Sequence, residues 1–343
     1  MTMKNGKKWL CWMLAIVCVM LTACGSHQEE PPPEPIQPAV ITPDANGMMT
    51  WGDQTFSIEE ESLFLNLQIR SNEILDLSPL LWCIQLRQLN IHVTVTPHVY
   101  QDKYGDKHLM EFTPTDLTPL SALDNLERLE LNVGTINSLA PLAHLSNLST
   151  LVLWLDGEID LSPLTSCTNL ESLALGGRTS VDLTPLRDCP SLRSLRVDVY
   201  DSKWNTPDLS VLSGAPCLQE LCIGGSNGLG VLVDVPLTHL VDLNDSADIL
   251  ENLPMLDTLT TVEFSDEHLQ DMQPILLHPS VTDIVLEVGA QELEKGTVIT
   301  DPDDPVLDRL VTAIPVAQLR SFLMGGTSIT LNVNQNRIAG GTT

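Results

Sequence analysis

Between Asp76 and Ile223 the apolar residues fall into one recurring frame. Prolines at 119, 141, 163 and 185 lie 22 residues apart, in DLTPLSALDNLERLEL from Asp116, SLAPLAHLSNLSTLVL from Ser138, DLSPLTSCTNLESLAL from Asp160 and DLTPLRDCPSLRSLRV from Asp182. An earlier copy, DLSPLLWCIQLRQLNI from Asp76, and a later one, DLSVLSGAPCLQELCI from Asp208, bring the series to six. Each unit joins two periods. Apolar residues three apart (Leu117, Leu120, Leu123, Leu126) suit one or two turns of tight helix, and the proline excludes a strand there. The LxxLxL that follows alternates apolar and polar residues, a short strand with one face inward and the other toward water.

One such unit cannot bury its leucines alone, so neighbours must stack. The predicted fold class is an α/β solenoid with parallel strands on the concave face and short tight-helix or loop segments on the convex face. Weaker copies continue the frame. Leu229, Leu232, Val235, Val241 and Leu243 fit it with Thr238 as a departure, and Leu250, Leu253, Leu256, Leu259, Val262 and Phe264 fit throughout. Met272, Ile275, His278, Val281, Ile284 and Leu286 follow, then Leu310, Ala313, Val316, Leu319, Phe322 and Met324, so about ten repeats cover residues 71–325. Residues 48–70, with alternating Leu63, Leu65, Leu67 and Ile69, are expected to cap the front. Ile329, Leu331 and Val333 suit a closing edge strand within the tail 326–343. Pro79 to Pro119 spans 40 residues, 18 more than the period, and His92 to Phe112 alternates around DKYGDK like a hairpin, placed at 93–114.

These strings resemble leucine-rich repeats, specifically the 22-residue type of bacterial internalins, whose repeats carry a similar D-[IL]-S-P-L segment. The resemblance implies a leucine-rich repeat solenoid, and adhesion to host or neighbouring cells as one reading of its role. The asparagine usual in that family, three residues after the second strand leucine, is missing, because Gly134, Asp156 and Arg178 stand there. A regular asparagine ladder in these turns is therefore not expected.

The amino terminus has a different pattern. Lys4, Lys7 and Lys8 precede an uncharged apolar run of 15 residues, Trp9 to Ala23, which is short for a membrane span and suits an export signal over 1–23. The run ends in LTACGS (Leu21 to Ser26), which resembles the bacterial lipobox. That resemblance implies a diacylglyceryl thioether on Cys24, hence attachment to the extracytoplasmic face of a bacterial cell membrane. Residues 24–47 are rich in proline and acid without an apolar period and read as an extended tether. At roughly 3.1 Å per residue it would reach about 70 Å.

Composition sharpens the exclusions. Lys and Arg number 17 against 45 Asp and Glu, a formal charge of −28 over 343 residues, and removing the three leading lysines leaves 14 minus 45, or −31. A body this acidic repels nucleic-acid phosphates and anionic headgroups, so nucleic acid is not an expected partner.

Candidate binding residues follow from the frame. Three outward columns read Arg128, Thr150, Ser172, Ser194, Glu220; then Glu130, Val152, Ala174, Arg196, Cys222; then Asn132, Trp154, Gly176, Asp198, Gly224. Val152, Ala174 and Trp154 are apolar where charge would cost nothing, and Tyr200 and Trp204 lie in an adjoining long turn. An apolar floor beside aromatics, flanked by Arg128 and Arg196, is the first candidate patch; the alternative is that Trp154 only packs on a neighbouring turn. The hairpin is the second, with Tyr100, Tyr104 and three of eight histidines (His92, His98, His108), though no metal-ligand spacing supports a metal. It is either a partner-contacting projection or a shield over the front repeats. The stretch Glu287 to Pro305, with Asp301, Asp303 and Asp304, reads as a solvated acidic loop, with calcium binding as the alternative.

Cys83, Cys167 and Cys189 occupy one frame position, filled elsewhere by Leu123 and Leu145, and are expected to be free core thiols. Cys222 faces outward. Gly224-Gly225-Ser226-Asn227-Gly228 formally matches a GxSxG nucleophile elbow, but a further repeat follows it instead of a helix, so Ser226 as a hydrolase nucleophile is a poor alternative. HExxH, phosphate-loop and CxxC motifs are missing. The expected role is non-catalytic, without cofactor: a lipid-anchored protein binding a protein or peptide through its concave face.

Overall fold

The structure, a computed structural model, describes residues 36–96, 99–101, 107–109, 113–199, 207–223, 232, 234–242, 256–265, 275, 278–288, 295–310 and 314–333. Each strong copy of the frame begins with a side-chain cap. The carboxylate of Asp160 accepts from the Ser162 amide at 2.9 Å, and that of Asp182 accepts from the Thr184 amide at 2.9 Å and its hydroxyl at 2.6 Å. The cap opens a 3-10 turn in which proline, with its fixed φ and missing donor, fits the first positions. Such turns span Ser78–Trp82, Thr118–Ala122, Ala140–His144, Ser162–Ser166, Thr184–Asp188 and Leu209–Leu212.

The three-residue apolar spacing has a backbone counterpart. Leu120, Leu123 and Leu126 each donate an amide to the carbonyl three residues earlier (2.9, 3.0 and 3.0 Å), so their side chains share one face. That face is buried at 0% exposure for all three. Two amides at the start of each following strand then bond a single carbonyl of the preceding repeat. Ser149 and Thr150 donate to Glu127, Glu171 and Ser172 to Ser149, and Arg193 and Ser194 to Glu171.

The strands are β1 (Met48–Trp51), β2 (Gln54–Ser57), β3 (Ser62–Arg70), β4 (Gln88–Thr96), β5 (Val99–Gln101), β6 (Lys107–Leu109), β7 (Arg128–Gly134), β8 (Thr150–Leu155), β9 (Gly157–Ile159), β10 (Ser172–Gly177), β11 (Thr179–Val181), β12 (Ser194–Val199), β13 (Glu220–Ile223), β14 (His239–Asp242), β15 (Thr261–Ser265), β16 (Asp283–Val288), β17 (Thr297–Ile299) and β18 (Ser328–Val333). Twelve form one sheet in the order β17-β18-β16-β15-β14-β13-β12-β10-β8-β7-β4-β3, parallel throughout except for β17. Leucines of the sheet and of the 3-10 turns meet in one continuous core. This is the expected leucine-rich repeat solenoid.

The ends differ from the frame's expectation. Leu63, Leu65 and Leu67 are buried and β3 is the terminal strand of the main sheet, while the antiparallel pair β1 and β2 covers the front with Met49, Trp51 and Phe56. Phe322 and Met324, at the frame's strand positions, form no strand: Phe322 lies with Leu319 in a helix, α1 (Val316–Leu323), and Met324 caps it. Leu319, Phe322 and Leu323 are its buried residues, an i, i+3, i+4 spacing that a helix satisfies and a strand cannot. The strand containing Ile329, Leu331 and Val333 is not an edge. It lies between β16 and the antiparallel β17, which comes from the stretch read as an acidic loop. At the front, the Ile36 amide donates to Asn72 O at 2.6 Å and Ile36 bridges Glu73, so part of the predicted tether is tied to the body.

Candidate functional site

The sheet register assembles the three outward columns residue by residue. Arg128, Thr150, Ser172, Ser194 and Glu220 are lateral partners, as are Glu130, Val152, Ala174, Arg196 and Cys222, then Asn132, Trp154, Gly176 and Asp198. Gly224, Ser226, Tyr200, Trp204 and Tyr104 lie outside the described residues, as do Cys24 and His98. Tyr100 is placed only as a strand position, opposite His108 in the β5–β6 hairpin. His92 is exposed on β4 beside Asn132.

Trp154 adopts neither an upright nor a turn-packed position. Its lateral partner is Gly176, and a Cβ built at Gly176 would fall 2.2 Å from Cε3 and Cζ3 of the indole. The ring therefore lies flat over the glycine of the next strand, burying Gly176 while itself remaining half-buried. With Val152 and Ala174 half-buried beside it, this makes a shallow apolar floor across β8 and β10.

The two flanking arginines differ. Arg128 is paired with Glu130, two residues along its own strand, at 3.6 Å. Arg196 has Asp198 at the equivalent spacing, yet among the described residues it forms no ion pair, and its Nε is buried without a hydrogen-bond partner. A buried guanidinium N–H without an acceptor is destabilising by roughly 1–3 kcal/mol or more. Asp198 lies two residues along the same strand and Glu220 on the adjacent β13, and further along the sheet Glu263 faces His239 at 4.0 Å. Among the described residues the face thus offers an apolar seat, a guanidinium without an ion pair and several carboxylates. Phe64, exposed on the outer side of β3 opposite Asn90, belongs to the same surface. The alternation of Leu63, Leu65 and Leu67 already implied its outward position.

A hydrogen-bond ladder runs along a further frame position. The side chain before the first leucine of LxxLxL reaches the previous repeat in three successive copies: Asn147 Nδ2 donates to Asp124 O (2.8 Å), Asn169 Nδ2 to Ser146 O (2.8 Å) and Ser191 Oγ to Thr168 O (2.7 Å). Asn125 Nδ2 to Ile84 O (3.0 Å) and Ser280 Oγ to Asp257 O (2.6 Å) extend it. The recurrence of small amide or hydroxyl residues before Leu126, Leu148, Leu170 and Leu192 is its signal. These bonds hold the back of the stack in register under the candidate face.

Cys83, Cys167 and Cys189 are free and buried. Burial pushes the Cys83 and Cys189 thiols up to about 11, with the neighbouring Cys167 and Asp188 adding to the effect at Cys189, and raises Cys167. Cys167 Sγ donates to Leu142 O at 3.3 Å. The hydroxyl and amide bonds that cap Asp116, Asp160, Asp182 and Asp208 hold their carboxyls below the usual range. Asp301 and Asp304 accept from the amides of Asp303 and Val306 at 2.8 Å. Among the described residues no group of three or more His, Cys, Asp or Glu side chains is arranged to hold a metal ion.

No protein-family model and no curated protein matches this sequence. Among solved structures, the chain is similar to internalin InlF from Listeria monocytogenes, with 21% identity over 62% of this chain and a TM-score of 0.38. It is similar to internalin C2 of the same organism (25% identity, 54% of this chain and 73% of that one, TM-score 0.29). It is also similar to the functional domain of InlJ from Listeria monocytogenes, which includes a cysteine ladder (16% identity, 66% and 43% coverage, TM-score 0.36). The chain spans 64% of the length of InlF, less than two thirds.

Proposed function

We propose that this chain is a lipid-anchored extracytoplasmic protein, attached through Cys24, that binds a protein or peptide partner through the concave face of its solenoid. The observation that carries the reading is Arg196. In a chain with 45 acids and 17 bases, its half-buried guanidinium has no ion-pair partner among the described residues, beside the apolar floor of Val152, Ala174 and Trp154. Arginine and tryptophan around a desolvated apolar centre with a charged rim are the composition of an interface hot spot. A carboxylate on the partner would pair with the half-buried guanidinium of Arg196.

The short leash weighs against adhesion to other cells. Eleven residues separate Cys24 from Ile36, and even fully extended they reach only about 40 Å. The binding reading is tested by a photocrosslinking residue at Val152 in living cells. We expect a defined protein adduct that disappears with Arg196→Ala and with Trp154→Ala; adducts unchanged in both variants would remove the patch. Mass analysis of Cys24, and release of the Cys24→Ser chain from the membrane fraction, test the anchor.

A further inference from the structure

The back of the first repeat differs from the second to fifth at three surface positions. Leu81, Trp82 and Ile84 are 48%, 50% and 53% exposed. The same frame positions are Ser121, Ala122 and Asp124 in the second repeat, Ala143, His144 and Ser146 in the third, Thr165, Ser166 and Thr168 in the fourth, and Arg187, Asp188 and Pro190 in the fifth. The second to fifth repeats thus provide an internal control: these positions point outward and carry small or polar residues there, whereas in the first repeat all three are large and apolar. Three such side chains within four residues form a contiguous patch, unlike scattered surface apolar residues.

The patch sits in the layer where the chain joins its amino-terminal segment. Ile36 bridges Glu73, directly ahead of this repeat, and the turn Ser78–Trp82 connects β3 and β4 at that end of the sheet. Upstream lie only eleven residues before Cys24 and the apolar run before it. An anchor at Cys24 would hold the first repeat within about 40 Å of the bilayer, at an effective concentration that makes a weak contact sufficient.

We propose that Leu81, Trp82 and Ile84 form a membrane-seating patch, which rests on the outer leaflet beside the anchor and sets the solenoid's orientation. This rests on the lipid-anchor reading above. Leu81 and Ile84 enter the headgroup and acyl boundary, and the indole of Trp82 occupies the interface that amphipathic rings favour. Electrostatics opposes the contact on an anionic surface, because the body carries an excess of acid. Seating on phosphatidylglycerol-containing bilayers therefore strengthens as salt rises, the reverse of a basic membrane-binding protein.

The experiment uses the purified full-length processed chain in phosphatidylcholine vesicles with brominated acyl chains, reading tryptophan quenching. Where mass analysis finds no lipid on Cys24, the chain is attached instead by an amino-terminal histidine tag to a nickel-chelating lipid, so that failure of the anchor and failure of the patch are read separately. We expect quenching that Trp82→Phe removes and that Leu81→Ser/Ile84→Ser weakens roughly tenfold or more in seating equilibrium, with unchanged circular dichroism. Quenching equal in the double-serine variant, or no quenching of the attached parent chain, overturns the proposal. Loss of a dimer in the double-serine variant without any quenching also overturns it, and assigns the patch to a second copy.

Discussion

Three neighbouring glycines allow the backbone geometry beneath the candidate face to be tested in parts. Gly157 has φ +98°, but a Cβ there would meet only Thr135 Cγ2 at an ordinary 3.8 Å. Alanine at 157 therefore carries the conformational penalty alone, about 1–3 kcal/mol. Gly177 has φ +109°, and its Cβ would also stand 2.2 Å from the Leu155 carbonyl oxygen. That oxygen is backbone, so β8 and β10 must separate locally, adding about 1–3 kcal/mol of overpacking. At Gly176 the obstacle is the Trp154 ring, which can swing away. Alanine there costs on the order of 1 kcal/mol but moves the tryptophan, with a red-shifted emission as the indole enters water. Urea unfolding followed by far-ultraviolet circular dichroism ranks the three as Gly177→Ala, then Gly157→Ala, then Gly176→Ala. A Gly177→Ala chain no less stable than Gly157→Ala would show that the two strands do not approach as described. An unshifted emission in Gly176→Ala would remove the flat indole from the site.

The inter-repeat ladder predicts that Asn147→Ala and Asn169→Ala each lower stability by about 0.5–1.5 kcal/mol in urea; unchanged midpoints would discard it as a stacking force. The capped aspartates predict an acid limb. Their folded carboxyls titrate below the ordinary value of 3.8, so their contribution is fully present above that value and is lost as pH falls through the lower folded one. Thermal unfolding from pH 7 down to pH 2 should therefore show a steeper loss below about pH 4 in the parent than in an Asp116→Asn/Asp160→Asn/Asp182→Asn chain, and parallel curves would contradict this. The core thiols predict protection: at pH 8, iodoacetamide should leave Cys83, Cys167 and Cys189 unmodified in the native chain and label them in urea, as read by mass spectrometry. Equal labelling in both conditions would mean that this column is not buried.

Much of the architecture could be read from residues. Leu117, Leu120, Leu123 and Leu126 announce the 3-10 turn because its three-residue period places them on one face, and Leu129 with Leu131 announces the strand. The carboxyl end departs from the frame because Leu319 and Phe322 fit the repeat's spacing and a helix's spacing equally well. Only the packing of Leu323 beside them separates the two. The edge strand β17 was hidden for a related reason. Three residues, Thr297 to Ile299, carry too little periodicity, and their pairing with Ile329 to Leu331 is a contact between distant parts of the chain.

At the candidate site the division is the same. The amino-acid sequence by itself determined which side chains share a column, because stacking identical 22-residue units aligns equivalent positions whatever occupies them. It also determined that the cysteine column is core, since those residues stand in for leucines. Tertiary structure alone decided the state of each side chain: that Trp154 lies over Gly176, that among the described residues Arg128 has an ion pair and Arg196 has none, and that the tether is tied to the body from Ile36. These depend on distances of a few ångströms between neighbouring repeats, and no period in the sequence encodes a distance.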